Sequence, residues 1–375
     1  MHSVIAPTLV FSCIALVAAG CHERTASTAD PLFDSGQHHL DRTTPAPLER
    51  LEDPCGGRGT PHIHADSERE LVIGCDNGAG LWHSTDGGKS FSQSHSSRQL
   101  HVFDIARFRD GTLWVCGQDT NGALVYRGQV GGPWEAMLSD NLDATSKRKT
   151  EMTSCGTLAE GPNGQPVVAS LTEGTIAWFH SDGQDWEAAT TSEPQATSPR
   201  PPLLVGSNGR LFGTGGDTHS PPVFVTHRAP RQPTGQRPHS IQIARSAAIE
   251  VWALASPDHG ITWLAGGTDR AVDSIAGRRA EGVMYTSRDG GAHWHPIELP
   301  EEIAIVRHIA FSKDGRRGVA VGHRAPSSGG GFALFTTDSG RSWAIEDRLP
   351  MLESADVAGD TYWLAGDAYL SRGRF

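Results

Sequence analysis

Beyond residue 60 the apolar positions fall in short runs bounded by Gly, Asp, Asn or Pro, and no long stretch carries a helical or heptad period. Runs of this kind closed by turn formers read as β-strands. They recur in a fixed order. An apolar strand and a tight turn lead to a second apolar strand ending in a Gly-rich loop; a third strand, a turn built on Asp and Gly, and a fourth strand opening on an aromatic residue follow. The unit repeats roughly every 40–50 residues, the length of a four-stranded propeller blade.

The first unit places strands at 62–64, 71–74 and 81–84, the second at 103–108, 113–117 and 124–126, and the third at 157–159, 167–170 and 175–179. The fourth has 203–205, 211–215 and 223–226, with 228–237 in place of its Asp turn. The fifth has 251–255 and 261–266, and the sixth 308–312, 318–322 and 332–336. A seventh offers only 355–358, 362–366 and 368–371. A ring of sheets must close to remove its free edges, so residues 48–51 are expected to supply the missing outer strand. The predicted fold class is therefore all-β: a seven-bladed β-propeller of four-stranded blades over 55–375, closed by an N-terminal strand.

The recurring turn has the form S-x-D-x-G-x-x-W. Its best copies start at Ser287, Ser84 and Thr336, with Asp289, Asp86 and Asp338 at the acidic position and Trp294, Phe91 and Trp343 at the aromatic one. Weaker copies occupy 127–134 and 181–186. An Asp carboxylate accepts backbone N–H groups a few residues on, Gly supplies positive φ, and the aromatic residue starts the next strand by packing inward. These are structural roles. The string at 256–263 also matches, but it falls between a first and a second strand and is set aside.

The three best copies resemble the Asp-box of bacterial neuraminidase-repeat propellers, sialidases among them, in which the box is a structural turn away from the active site. Residues 71–91, LVIGCDNGAGLWHSTDGGKSF, resemble a blade of the photosystem II assembly-factor propellers, and 318–343 and 363–371 are similar but interrupted or short. That resemblance implies the fold and a binding or assembly role. The sialidase resemblance implies a glycoside hydrolase as the alternative, with a Tyr nucleophile assisted by Glu, and three Arg on a carboxylate. No Arg-Ile-Pro precedes the first box, and Tyr126, Tyr285, Tyr362 and Tyr369 have no Glu partner by spacing. No catalytic residue is assigned.

The apolar run at 4–17 reads as an export signal, too short for a permanent span. Its end, Ala18-Ala19-Gly20-Cys21, resembles a bacterial lipobox, which implies cleavage after residue 20 and lipidation of Cys21; His22 in place of an Asp, by analogy with enterobacterial sorting, leans towards an outer-membrane lipoprotein facing periplasm or exterior, with ordinary secretion the alternative. Residues 21–54, rich in Thr, Ala, Pro and acids, read as a tether. His38 and His39 within it read as solvated. Cys13 leaves with the signal, so Cys55, Cys75, Cys116 and Cys155 remain as an even set in an oxidising compartment. Three pairings are open, of which Cys55–Cys75 with Cys116–Cys155 is preferred.

The formal charge of −11 argues against a nucleic-acid partner. Ligand-binding candidates lie in loops after second strands and in two insertions: Asp76, Asp119, Glu173, Asp217, Asp269 and Asp367, with His323 and Arg324, then Arg270, Arg278 and Arg279, and Arg228, Arg231, Arg237 and Arg245. A ring of carboxylates around a funnel would suit a cation or a basic ligand, and Arg forks would suit carboxylate or phosphate. Gly-Asp and Asp-Asn pairs also simply build loops. His62 with His64, and His293 with His295, share strand faces and read as packing between blades. No metal, cofactor or phosphate loop is expected, and the anticipated partner is a protein or glycan, with the membrane met only through the lipid.

Overall fold

The computed structural model describes residues 40–41, 47–57, 59–95, 99–119, 123–139, 155–161, 163–169, 175–180, 185–190, 204–207, 210–215, 222–227, 240–270, 280–325 and 329–375. Among the described residues the strands form seven sheets, each built on three or four consecutive antiparallel strands. Sheet one comprises Pro61–Ala65, Leu71–Cys75, Gly80–Ser84 and Ser92–His95, and sheet two His101–Arg107, Leu113–Gln118, Ala123–Gly128 and Trp134–Ser139. Sheet three comprises Thr157–Glu160, Pro166–Ala169, Thr175–His180 and Asp185–Thr190, and sheet four Leu204–Ser207, Arg210–Gly215, Val223–His227 and Ser240–Gln242. Sheet five comprises Ile249–Ala255, Trp263–Asp269, Glu281–Ser287 and His295–Ile297, and sheet six Ile303–Phe311, Gly318–Arg324, Gly331–Thr336 and Trp343–Leu349.

Sheet seven has Ser354–Ala358, Thr361–Gly366 and Tyr369–Arg374, and its outer edge is taken by Glu49–Arg50, which pair antiparallel as Glu49 with Arg372 and Arg50 with Ser371. The strand expected from residues 48–51 is there. Leu51 N continues the ladder to Leu370 O at 3.0 Å, and the Arg50 guanidinium lies 4.3 Å over the Tyr369 ring. Sequence reading did not anticipate a further strand, Leu40–Asp41, which adds in parallel to Trp343–Leu349 as the fifth strand of sheet six.

The first strand of each sheet touches the first strand of the next, and Ser354–Ala358 of sheet seven touches Pro61–Ala65 of sheet one, so these strands form the inside of a closed ring. The apolar core is split into layers between neighbouring sheets. Trp363, Leu370 and Leu51 meet Leu71 and Ile73 between sheets seven and one, while Phe332, Leu334 and Trp343 meet Leu264 and Met284 between sheets five and six. Both disulfides are of the preferred pairing, Cys55–Cys75 and Cys116–Cys155, each with Cα atoms 5.5 Å apart.

The recurring turn is one hydrogen-bonded device. Gly88 N donates to Ser84 Oγ at 2.8 Å, Ser84 Oγ to Asp86 Oδ1 at 2.8 Å, and Ser90 N to Asp86 Oδ1 at 3.0 Å. The turns at Asp289 and Asp338 repeat this pattern. The hydroxyl and amide of Ser90 hold Asp86 well below the usual carboxylate range. One expectation needs correction: the string set aside at 256–263 forms the same turn, with Gly260 N donating to Ser256 Oγ at 2.7 Å and Thr262 N to Asp258 Oδ1 at 2.5 Å. It does lie between a first and a second strand. The turn is thus a local device usable wherever two antiparallel strands must be joined.

The turns at Gly88, Gly291 and Gly340 also wedge against the preceding sheet. A Cβ on Gly291, at φ +90, would stand 2.3 Å from the Phe224 ring of sheet four. Gly88 abuts Leu51, and Gly87 O accepts Trp363 Nε1 at 3.3 Å and Arg372 at 3.1 Å from sheet seven. Gly291→Val is therefore expected to lower stability by about 2–4 kcal/mol, from left-handed strain plus the clash. Gly111→Ala, at φ +83 with nothing within 4 Å, should cost only about 1 kcal/mol. Urea unfolding of the two variants measures the difference.

Candidate functional site

A first strand has a neighbour on one side only, so its outward amides need acceptors from elsewhere. Four polar side chains on the inside of the ring, from sheets two, six and seven, supply them. Asp104 Oδ2 of sheet two accepts Leu158 N of sheet three at 2.7 Å, and Asp356 Oδ2 of sheet seven accepts Ala65 N of sheet one at 2.7 Å. Ser354 Oγ accepts Ile63 N at 3.2 Å, and His308 Nδ1 of sheet six accepts Ala355 N of sheet seven at 3.4 Å. Bulges between Val102 and Asp104, and between Val306 and His308, aim two of these side chains.

Around these links runs a band of half-buried charge. Where first strands begin and second strands end, Glu353 receives Arg307 Nε at 2.6 Å and lies 2.7 Å from His323 Nε2. The Arg307 guanidinium stacks 4.5 Å over the Trp252 ring, which is 38% exposed on the inner strand of sheet five. Met351, two residues before Glu353, is 54% exposed. An aromatic face, a stacked guanidinium, a carboxylate and a thioether therefore share one mouth of the ring. At the other end Asp66 pairs with Arg107 and lies 3.2 Å from His64 Nε2, whose Nδ1 is 3.6 Å from Asp356.

Burial dominates the electrostatics. It pushes Asp104 up to about 7 despite two N–H donors, and raises Asp356 as well. It pushes His62 and His308 down to about 4, helped at His62 by the neighbouring His308 and Arg307. Burial also opposes charge on Glu353, but the His323 hydrogen bond and the Arg307 charge prevail and hold it below the ordinary carboxylate range. Among the described residues, no group of three or more His, Cys, Asp or Glu side chains could hold a metal ion.

Four of the six loop carboxylates lie among the described residues, each beside a different sheet. Asp76 Oδ1 accepts Thr60 N at 2.5 Å within the loop that Cys55–Cys75 ties down. Asp119 is buried and accepts the Tyr126 hydroxyl at 2.5 Å. Asp269 ends its strand beside Tyr285 and helps raise that phenol. Asp367 is exposed in a strand turn. Arg270 is tied to Glu250 at 2.8 Å, and Arg324 donates to Asp347 O at 2.9 Å. Arg245 is exposed, while His38, His39, Glu173, Asp217, Arg228, Arg231, Arg237, Arg278 and Arg279 lie outside the described residues. The residues missed were Trp252, Arg307, Glu353, Asp104 and Asp356. A signal for some of them existed: Asp104-Ile105-Ala106, His308-Ile309-Ala310 and Asp356-Val357-Ala358 repeat one polar position in first strands.

His62 and His308 have folded values below the ordinary imidazole value, so between about pH 4 and 6.5 the unfolded chain binds more protons and stability rises with pH. Replacing both, as His62→Gln with His308→Asn, is expected to flatten that acid limb in thermal melts taken across the window.

No family model and no curated protein matches this sequence. Solved structures do. A catalytically inactive virginiamycin B lyase from Staphylococcus aureus with quinupristin superposes at TM-score 0.61 and 13% identity, over 88% of this chain and 99% of that one. YCF48 bound to D1 peptide gives 0.57 and 14%, over 90% and 100%. The extracellular domain of the hybrid two component system BT4673 from B. thetaiotaomicron gives 0.58 and 11%, over 88% of this chain and 40% of that one. At such identities the likeness is one of fold, and the fold of this chain is an all-β propeller.

Proposed function

We propose that this protein is an exported, lipid-anchored binding module that engages a protein partner at the mouth formed by Trp252, Arg307, Glu353 and Met351. In this reading the seven sheets are seven blades and their turns Asp-boxes. Residues 1–20 are the signal, Cys21 carries the lipid, and 21–54 form a tether whose last part clasps the ring. The observation that carries the reading is the exposed Trp252 ring with Arg307 stacked on it. Trp and Arg dominate the energetics of protein interfaces when they can be desolvated together, and methionine adapts to varied partners. Two disulfides favour an extracytoplasmic location. One structural neighbour holds a peptide, which agrees with a protein ligand.

The hydrolase alternative is less well supported. Tyr126 is buried, and burial together with its bond to Asp119 raises the phenol above its ordinary value, the reverse of what a nucleophile needs.

The full chain, probed in parallel with a displayed random-peptide library and a glycan array, should enrich peptides. Trp252→Ala and Arg307→Ala should each weaken the selected peptides at least about ten-fold, the range of an interface hot spot. Enrichment of glycans alone, or hydrolysis of an arrayed sugar, overturns the protein reading. Separately, Cys21→Ser should move the protein from the membrane to the soluble fraction; a variant that still sediments with membranes removes the anchor.

A further inference from the structure

We propose that the joint between sheets seven and one is proton-operated, tight around a protonated His64 and loosened when that proton leaves. Three acids from three consecutive sheets converge there. Asp356 comes from the inner strand of sheet seven, Asp66 from the turn that ends the inner strand of sheet one, and Asp104 from the inner strand of sheet two. The cations among them are His64, which reaches both Asp66 and Asp356, and Arg107, which pairs with Asp66. Asp104 feels the His64 charge as well. Farther along the inside of the ring, His62 and His308 are neutral near pH 7, and Arg307 is paired with Glu353.

Protonated, the cluster sets two cations against one carboxylate that is firmly ionised and two that hold protons readily. Once His64 is neutral, Arg107 stays with Asp66, and Asp356 and Asp104 lose the His64 charge that offsets theirs, in a half-buried place where repulsion is poorly screened. The Ala65 N–H favours a charged Asp356, but desolvation and the Asp66 charge oppose it, so the cost of that charge falls on the side chain that bonds Ala65 across the joint. The geometry makes this a local effect: Asp356 and Ser354 are the side chains that bond the amides of Ala65 and Ile63 across this interface.

The titrations point one way. Burial raises Asp104 to about 7 and lifts Asp356; burial opposes charge on His64, but its Asp66 hydrogen bond and the Asp356 charge raise it. The folded form thus binds these protons more tightly than the unfolded chain. The stability they contribute falls as pH rises from the ordinary carboxylate range to about 7 for Asp104, and as it rises through the folded value of His64, above the ordinary imidazole range.

Hydrogen exchange on the full chain tests the joint without any ligand, so its outcome is separate from that of the binding reading. Exchange is compared at about pH 6 and about pH 8.5, corrected for intrinsic rates, on peptides covering 61–65 and 354–358, with 331–336 in sheet six as reference. Protection of the first two should fall about ten-fold while the reference holds. Asp356→Asn and His64→Gln should each shrink the change. Unaltered protection at 61–65 in the wild-type chain overturns the proposal, as does an equal fall in the reference peptide, which would mean loss of the whole fold rather than of one joint.

Discussion

Among the described residues, sheets one, six and seven are apolar on both faces and depend on a neighbour to cover each. Leu71 and Ile73 are shielded by sheet seven and Val72 by sheet two, so removing one sheet would bare the flanks of two others. Hydrophobic burial of this kind is worth about 25 cal/mol per Å², and it is available here only to a closed ring. The turn glycines serve the same requirement. Where Gly291 meets Phe224 and Gly88 meets Leu51, the missing Cβ lets one sheet lie flush against the next.

The polar residues follow from the same geometry. Wherever two inner strands run side by side without forming a ladder, amides would be left without acceptors. Asp104, His308, Ser354 and Asp356 fill that need. Burial shifts the proton affinities of Asp104, His308 and Asp356 away from ordinary values, and His64 lies 3.6 Å from Asp356. The inside of the ring is therefore electrostatically active for structural reasons before any ligand is considered. The mouth at Trp252 differs, because there a ring that meets Arg307 of the next sheet also stays 38% exposed.

What could be read from the sequence was local. Apolar runs between turn formers mark strands because each run must face two neighbours, and the short set at 355–371 announces its missing partner because an open edge is costly. The preferred cysteine pairing followed from strand ends. Leu40–Asp41 was hidden because two residues carry no period, and the turn at Asp258 was discounted because position in the repeat was trusted over its own chemistry. The mouth was hidden for another reason. Trp252, Arg307 and Glu353 meet only through the relative placement of three sheets, and a polar residue in a strand looks the same whether it bonds the next sheet or a ligand. Loop acids such as Asp76 and Asp119 are ambiguous for the converse reason: a residue type that builds loops is the type that binds cations.

The clasp has a consequence for how the molecule is made. Glu49 and its partner Arg372 stand 323 positions apart, so a strand among the first of the ring to leave a ribosome must wait for the last. Contacts of such long range slow folding, and until residue 374 has emerged, sheet seven has an open edge to which stray strands could attach. Cys55–Cys75 spans only 20 residues and is available to oxidation much earlier. An early crosslink would hold residue 55, and the waiting strand just upstream of it, beside sheet one through that interval.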